Sequence, residues 1–101
     1  RFDANAYLRI LDAWQKFDLL AETGARDYTE LFCKCQQQSF LIFSIDSDVC
    51  FYPEAQKQMV DLLQQAQVPT TWLTVHSDKG HDSFLVDPDL FAPHIRYQLN
   101  R

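Results

Sequence analysis

Over residues 2–20 the apolar side chains recur at helical spacing. Tyr7, Leu11, Trp14, Phe17 and then Ala21 fall on one side, while Arg9, Asp12, Gln15 and Lys16 fall largely on the other. The pattern predicts an amphipathic helix from Phe2 to Leu20 with Asp3 as N-cap. Glu22, Thr23 and Gly24 end it, glycine being the usual residue just past a helix C-terminus. Asp27-Tyr28-Thr29-Glu30 has the spacing of a capping box, so a second, short helix is expected between Asp27 and Cys35.

The period then changes. Ser39-Phe40-Leu41-Ile42-Phe43-Ser44-Ile45 is almost all apolar, rich in aromatic and β-branched residues, and does not alternate. A strand of that kind has both faces covered, as in a parallel sheet. Pro53 suits the first position of a helix, where its missing N–H costs nothing. Met59, Leu62, Leu63 and Ala66 form the expected buried stripe, and Pro69 stops the helix. Thr70-Thr71-Trp72-Leu73-Thr74-Val75 reads as a second strand, and strand–helix–strand implies a parallel crossover. A last helix is expected over about 89–99 with Leu90, Phe91, Ile95 and Leu99 inward, its first turn delayed or bent by Pro93.

The first third is thus helical and the rest α/β, with a boundary near Gln36. Only Gly24 and Gly80 are glycines among 101 residues, against a usual share of about 7 %. Long regular elements with few tight turns follow. The net charge of −5, with no run of Lys or Arg, argues against nucleic acid and against an anionic membrane surface as partner. Cys33, Cys35 and Cys50 are an odd number, and neither a signal peptide nor a run of about 18 apolar residues occurs. Reduced thiols and a cytoplasmic location are expected. Cys33 and Cys35 are closer together than zinc ligands usually are. His76, Asp78 and His81 are a conceivable cation set. No bound metal or cofactor is expected.

Ligands of open parallel sheets bind at the carboxyl ends of the strands. Asp48 stands three residues past Ile45, and His81 six past Val75. If the strands are neighbours, these loops emerge side by side. A histidine base needs a carboxylate on its Nδ1–H to fix tautomer and orientation, and Asp48 is the expected partner. Asp before His is the chain order of a Ser-Asp-His triad on an α/β-hydrolase. The serine of such a triad sits on a Gly-x-Ser-x-Gly elbow, and neither glycine here flanks a serine in that way. The nucleophile is therefore expected upstream, and an initial Arg1 rather than Met fits a fragment. Taken singly, Asp46, Asp48, Asp78 and Asp82 would read as solvated loop acids or caps, and His76 and His94 as surface histidines.

Three segments carry a family resemblance: RFDANAYL at 1–8, SDVCFYPEAQ at 47–56 and GHDSFLVD at 80–87. In this order and spacing they resemble the homoserine O-acetyltransferases, and GHDSFLVD is the most specific piece. The family more often has alanine where Ser83 stands, and proline or a similar residue where Tyr52 stands. The resemblance implies the C-terminal part of an α/β-hydrolase fold, two parallel strands with flanking helices. Residues 1–35 would end an inserted helical lid, and residues 36–101 would form the closing strand–helix–strand–helix of the core. It implies His81 as catalytic base, Asp48 as its orienting acid, and Asp82 as the carboxylate holding the acceptor's amino group. The implied reaction is a two-step acyl transfer in methionine biosynthesis, from acetyl-CoA or another acyl-CoA through an upstream serine to homoserine. The implied partners are those substrates, the remainder of the same chain and a second copy in a homodimer.

Two rivals stand beside this reading. A serine hydrolase of the same fold would use water and would need no ammonium partner at Asp82. A non-catalytic α/β interaction domain would be complete in itself, yet two strands fall short of the usual five or six and would leave large apolar surface exposed.

Overall fold

The computed structural model describes residues 2–101; Arg1, the first residue of the resembling segment 1–8, lies outside them. Helix α1 (Ala4–Lys16) is opened by Asp3, whose carboxylate accepts the N–H groups of Asn5 and Ala6. The single helix expected to Leu20 is broken. Phe17 is extended, and Asp18 starts a new helix, α2 (Leu19–Thr23), by accepting from Leu20 and Ala21. An Asp side chain that satisfies N–H groups ahead of it competes with continuing the previous helix. Gly24 closes α2 at φ +71°, in the left-handed region. Asp27 caps α3 (Tyr28–Cys33) through the Glu30 N–H, while the Glu30 carboxylate turns to Arg26 at 2.7 Å.

The expected strands form. Strands β1 (Phe40–Ile45) and β2 (Thr70–Val75) pair in parallel, Phe40 against Thr70 through Ile45 against Val75, joined by α4 (Pro53–Gln65). Both faces of β1 are covered, as its missing alternation predicts. Ile42 packs with Val60, Leu63, Ala66 and Val68 on the α4 side. Ile45 packs with Val75, Phe43 and Phe91 on the other. The stripe of α4 is rotated from expectation: Val60 and Leu63 are buried, and Met59 is exposed. The helix ends before Pro69, because Gln67 adopts φ +60° and reverses the chain.

After β2, Gly80–Asp82 forms a 3₁₀ turn running into a single-turn helix, α5 (Ser83–Val86), where the sequence pattern predicts only loop. The last helix begins later than expected. Pro88–Leu90 is a 3₁₀ turn, and α6 spans Ala92–Leu99 with Pro93 in its first turn. Of its expected inward residues only Phe91 is buried; Leu90, Ile95 and Leu99 are exposed.

The stripe of α1 is not buried either. Tyr7, Trp14 and Phe17 stay more than half exposed. Amphipathic spacing establishes which face of a helix is apolar; whether that face is covered depends on the surface offered to it. The Cα radius of gyration is 16.1 Å, against about 13 Å for a compact chain of 100 residues. Among the described residues no helix is long and apolar enough to cross a membrane.

Candidate active site

The two loops leave the sheet together, as expected for neighbouring strands, and they are bonded to each other residue by residue. Asp46 N–H donates to the Val75 carbonyl, extending the strand ladder by one step. The Asp46 carboxylate then accepts the Ser77 N–H at 3.0 Å and faces His76 Nδ1 at 2.9 Å. Ser47 Oγ accepts the Gly80 N–H at 2.8 Å. Asp48 Oδ2 faces His81 Nδ1 at 2.9 Å. Three consecutive residues of the first loop thus grip the second, and the last grip joins the acid and the histidine singled out in the sequence.

Asp48 is 2 % exposed, and His81 keeps 40 % of its side chain open. The other oxygen of Asp48 accepts the N–H groups of Cys50 and Phe51, both at 2.9 Å. Burial pushes the Asp48 carboxyl up, but the Phe51 N–H, the His81 imidazole and the Cys50 N–H outweigh it, so it titrates below its ordinary value. An ionised carboxylate has only lone pairs to offer. The ring nitrogen facing it must therefore carry the hydrogen, which leaves Nε2 of neutral His81 with a free lone pair. A buried acid against Nδ1 of a half-open imidazole is an arrangement suited to a general base.

The imidazole is held between aromatic rings. The Phe51 centroid lies at 4.9 Å, and Phe84 stands edge-on at 5.6 Å. Trp14 of α1 reaches Phe51 at 6.4 Å. Below the histidine, Phe43, Phe84, Phe91 and Ile95 line a cleft of about 410 Å³ into which Asp48, Gln56 and His81 bring polar atoms. Gln56 Oε1 is buried there without a hydrogen-bond partner among the described residues.

Asp82 is exposed, next in sequence to His81, and its carboxylate has no partner among the described residues. His76, expected at the surface, is there at 84 % side-chain exposure, yet it pairs with Asp46. The His76 hydrogen bond, followed by the Ser77 N–H, lowers the Asp46 carboxyl below its ordinary value. Because His76 turns to one acid and His81 to the other, they do not converge with Asp78, and no cluster of three metal-ligating side chains forms among the described residues. Cys33, Cys35 and Cys50 are free thiols.

The sequence reading missed the Asp46–His76 pair, the Ser47 bond, the aromatic clamp and Gln56. Two acids at alternate positions past a strand end were the available signal for a second pair. The aromatic rings gave none, because their meeting depends on how α4 and α5 dock.

A carboxylate bonded to a histidine at the carboxyl ends of adjacent parallel strands is an arrangement that can carry acid–base chemistry. The comparisons with known proteins are more specific. The chain is 37 % identical over 93 residues, 91 % of its length, to a homoserine O-acetyltransferase of Mesorhizobium japonicum, covering 23 % of that protein. It is 36 % identical to a homoserine O-succinyltransferase of Acinetobacter baylyi over 94 % of the chain and 24 % of that protein. It is 35 % identical to a serine O-succinyltransferase of Litchfieldella anticariensis over 94 % of the chain and 26 % of that protein. No family model and no solved structure matches. Over nearly its whole length the chain is homologous to part of the homoserine O-acyltransferases, the family its loops resemble, and it spans about a quarter of the length of these relatives.

Proposed function

We propose that this chain is the C-terminal segment of a homoserine O-acetyltransferase of the α/β-hydrolase fold, supplying the base and orienting acid of a Ser-Asp-His triad. The carrying observation is the 2.9 Å contact of buried Asp48 with half-exposed His81. Residues 1–35 are read as the end of an inserted lid and residues 36–101 as the closing part of the core. The exposed aromatic stripe of α1 supports a segment that packs against more of the same enzyme rather than a self-contained interaction domain.

In the proposed reaction His81 Nε2 takes the hydroxyl proton of a serine outside this segment. The serine oxygen attacks the acyl-CoA thioester, and the CoA sulfur leaves with the proton from the imidazolium. His81 then takes the hydroxyl proton of homoserine, whose oxygen displaces the serine from the acyl-serine ester, and the serine recovers its proton. Asp48 keeps Nδ1–H pointed inward and stabilises the imidazolium in both halves. Asp82 holds the acceptor's ammonium group beside the base, a role water would not need. Acyl-CoA and free thiols suit the cytoplasm, and a homodimer is the proposed assembly.

The relatives include acetyl and succinyl transferases, and both homoserine and serine acceptors. The test is therefore product analysis of the full-length enzyme with acetyl-CoA or succinyl-CoA and either amino acid. O-acetylhomoserine, abolished by His81→Ala, is the expected product. Hydrolysis of the acyl group with neither amino acid acylated would replace the transferase by a hydrolase. The isolated 101-residue chain should turn over neither donor; turnover by it, abolished by His81→Ala, would overturn the fragment reading.

A further inference from the structure

The geometry points to Ser47 and Ser83 as positioning residues that set His81 by gripping the Gly80 residue on both sides, one at its N–H and the other at its carbonyl. The inference rests on the reading of His81 as the base, and it adds two hydroxyls that touch no substrate.

Gly80 precedes His81 and has φ +67°, in the left-handed region that side chains disfavour. Its peptide groups have nowhere to drift. The N–H donates to Ser47 Oγ at 2.8 Å, and the carbonyl accepts from Ser83 Oγ at 2.6 Å. That carbonyl belongs to the peptide unit whose nitrogen is His81's own, so holding it fixes the direction in which the imidazole leaves the backbone.

The proton directions follow from counting. A carbonyl only accepts, so the single Ser83 hydroxyl proton is committed to Gly80. The contact of 2.9 Å between Ser83 Oγ and Ser77 Oγ must then use the Ser77 proton, and Ser77 Oγ in turn accepts the Lys79 N–H at 3.2 Å. The chain Lys79 N–H, Ser77, Ser83, Gly80 carbonyl has one direction and no spare donor. Ser83 is fully buried, so its hydroxyl depends on these partners rather than on bulk water.

Ser47 directly precedes Asp48, as Gly80 directly precedes His81. The Ser47–Gly80 bond therefore ties the two loops one residue before the acid–base contact and shares its register. Without it, the described bonds joining the two loops would be the Asp48–His81 contact itself and, further back, those of Asp46 with Val75, His76 and Ser77.

The test uses the full-length enzyme and the variants Ser47→Ala, Ser47→Thr and Ser83→Ala. Loss of one neutral hydrogen bond should slow acyl-serine formation and transfer to homoserine alike, by roughly threefold to tenfold. The homoserine KM should not move. The low-field proton resonance of His81 Nδ1–H should broaden or shift upfield in both alanine variants, and Ser47→Thr, which keeps the hydroxyl, should restore rate and resonance. A folded alanine variant with wild-type burst rate and an unchanged resonance overturns the inference. If Ser47→Ala does not fold, Ser83→Ala decides, since it acts on the other side of the same residue and removes only an oxygen. A His81→Ala enzyme that keeps full activity would instead overturn the base assignment itself.

Discussion

The Asp48 carboxylate serves two masters: one oxygen faces His81 Nδ1 from 33 residues away, and the other collects the N–H groups of Cys50 and Phe51 from its own loop. The local bonds fix where the acid points independently of its bond to the histidine. They also give the acid a structural part beside the catalytic one proposed for it, and the predictions must separate these parts.

Asp48→Asn in the full-length enzyme should lower kcat by on the order of 10⁴, because an amide admits the wrong imidazole tautomer. The asparagine oxygen can still accept from Cys50 and Phe51, so the loop should persist. Steady-state kinetics beside a circular-dichroism spectrum check both. A loss under about tenfold would leave Asp48 with only its structural part.

The same residue gives a pH signature. A carboxyl whose pKa is lower in the folded than in the unfolded state stabilises the fold above its ordinary value of 3.8, and that stability is lost as pH falls through the folded value. The stability advantage of wild type over Asp48→Asn, from urea unfolding of the full-length protein, should narrow as pH drops below about 4. A pH-independent difference would contradict the lowered pKa. Both proteins keep Asp46, whose own shift cancels in the comparison.

The second acid–base pair should be dispensable. His76 is 84 % exposed and Asp46 would keep its Ser77 N–H without it. His76→Ala should leave kcat within about twofold of wild type, the usual reach of an exposed substitution. A loss approaching that of His81→Ala would mean that the base has been assigned to the wrong pair.

Asp82→Asn tests the amino-acid acceptor. A charge-assisted bond is worth about 1.5–3 kcal/mol, which is roughly tenfold to a hundredfold in the use of homoserine. Burst kinetics with acyl-CoA alone should be nearly unchanged, since that half-reaction involves no homoserine. Equal slowing of both halves would make Asp82 part of the base machinery and would remove the reason to prefer an amino acid over water.

Stability of the core should depend on Leu63, which is 1 % exposed between β1 and α3. Leu63→Ala should cost about 2–5 kcal/mol in denaturant unfolding. Met59→Ala, at the position exposed against the stripe expected from sequence, should cost far less; equal costs would mean that Met59 is covered in the full-length protein.

Local chemistry was legible wherever a residue acts on its own neighbourhood. Asp3 and Asp27 cap their helices, Gly24 closes one, Pro53 opens another, and the almost all-apolar, non-alternating run 39–45 makes a strand covered on both faces. The order of Asp48 and His81 past two strand ends also stood in the chain, because parallel neighbours send their carboxyl ends to the same edge. What each face touches did not. The stripe of α1 is apolar by spacing and exposed by packing, and the stripe of α4 is turned by one residue toward Val60. Register decided the site as well: pairing Ile45 with Val75 is what hands Asp46 to His76, Ser47 to Gly80 and Asp48 to His81. Caps and turns are settled within four residues of the side chain that makes them. Pairings across about 30 residues are settled only when the sheet aligns two loops that know nothing of each other in sequence.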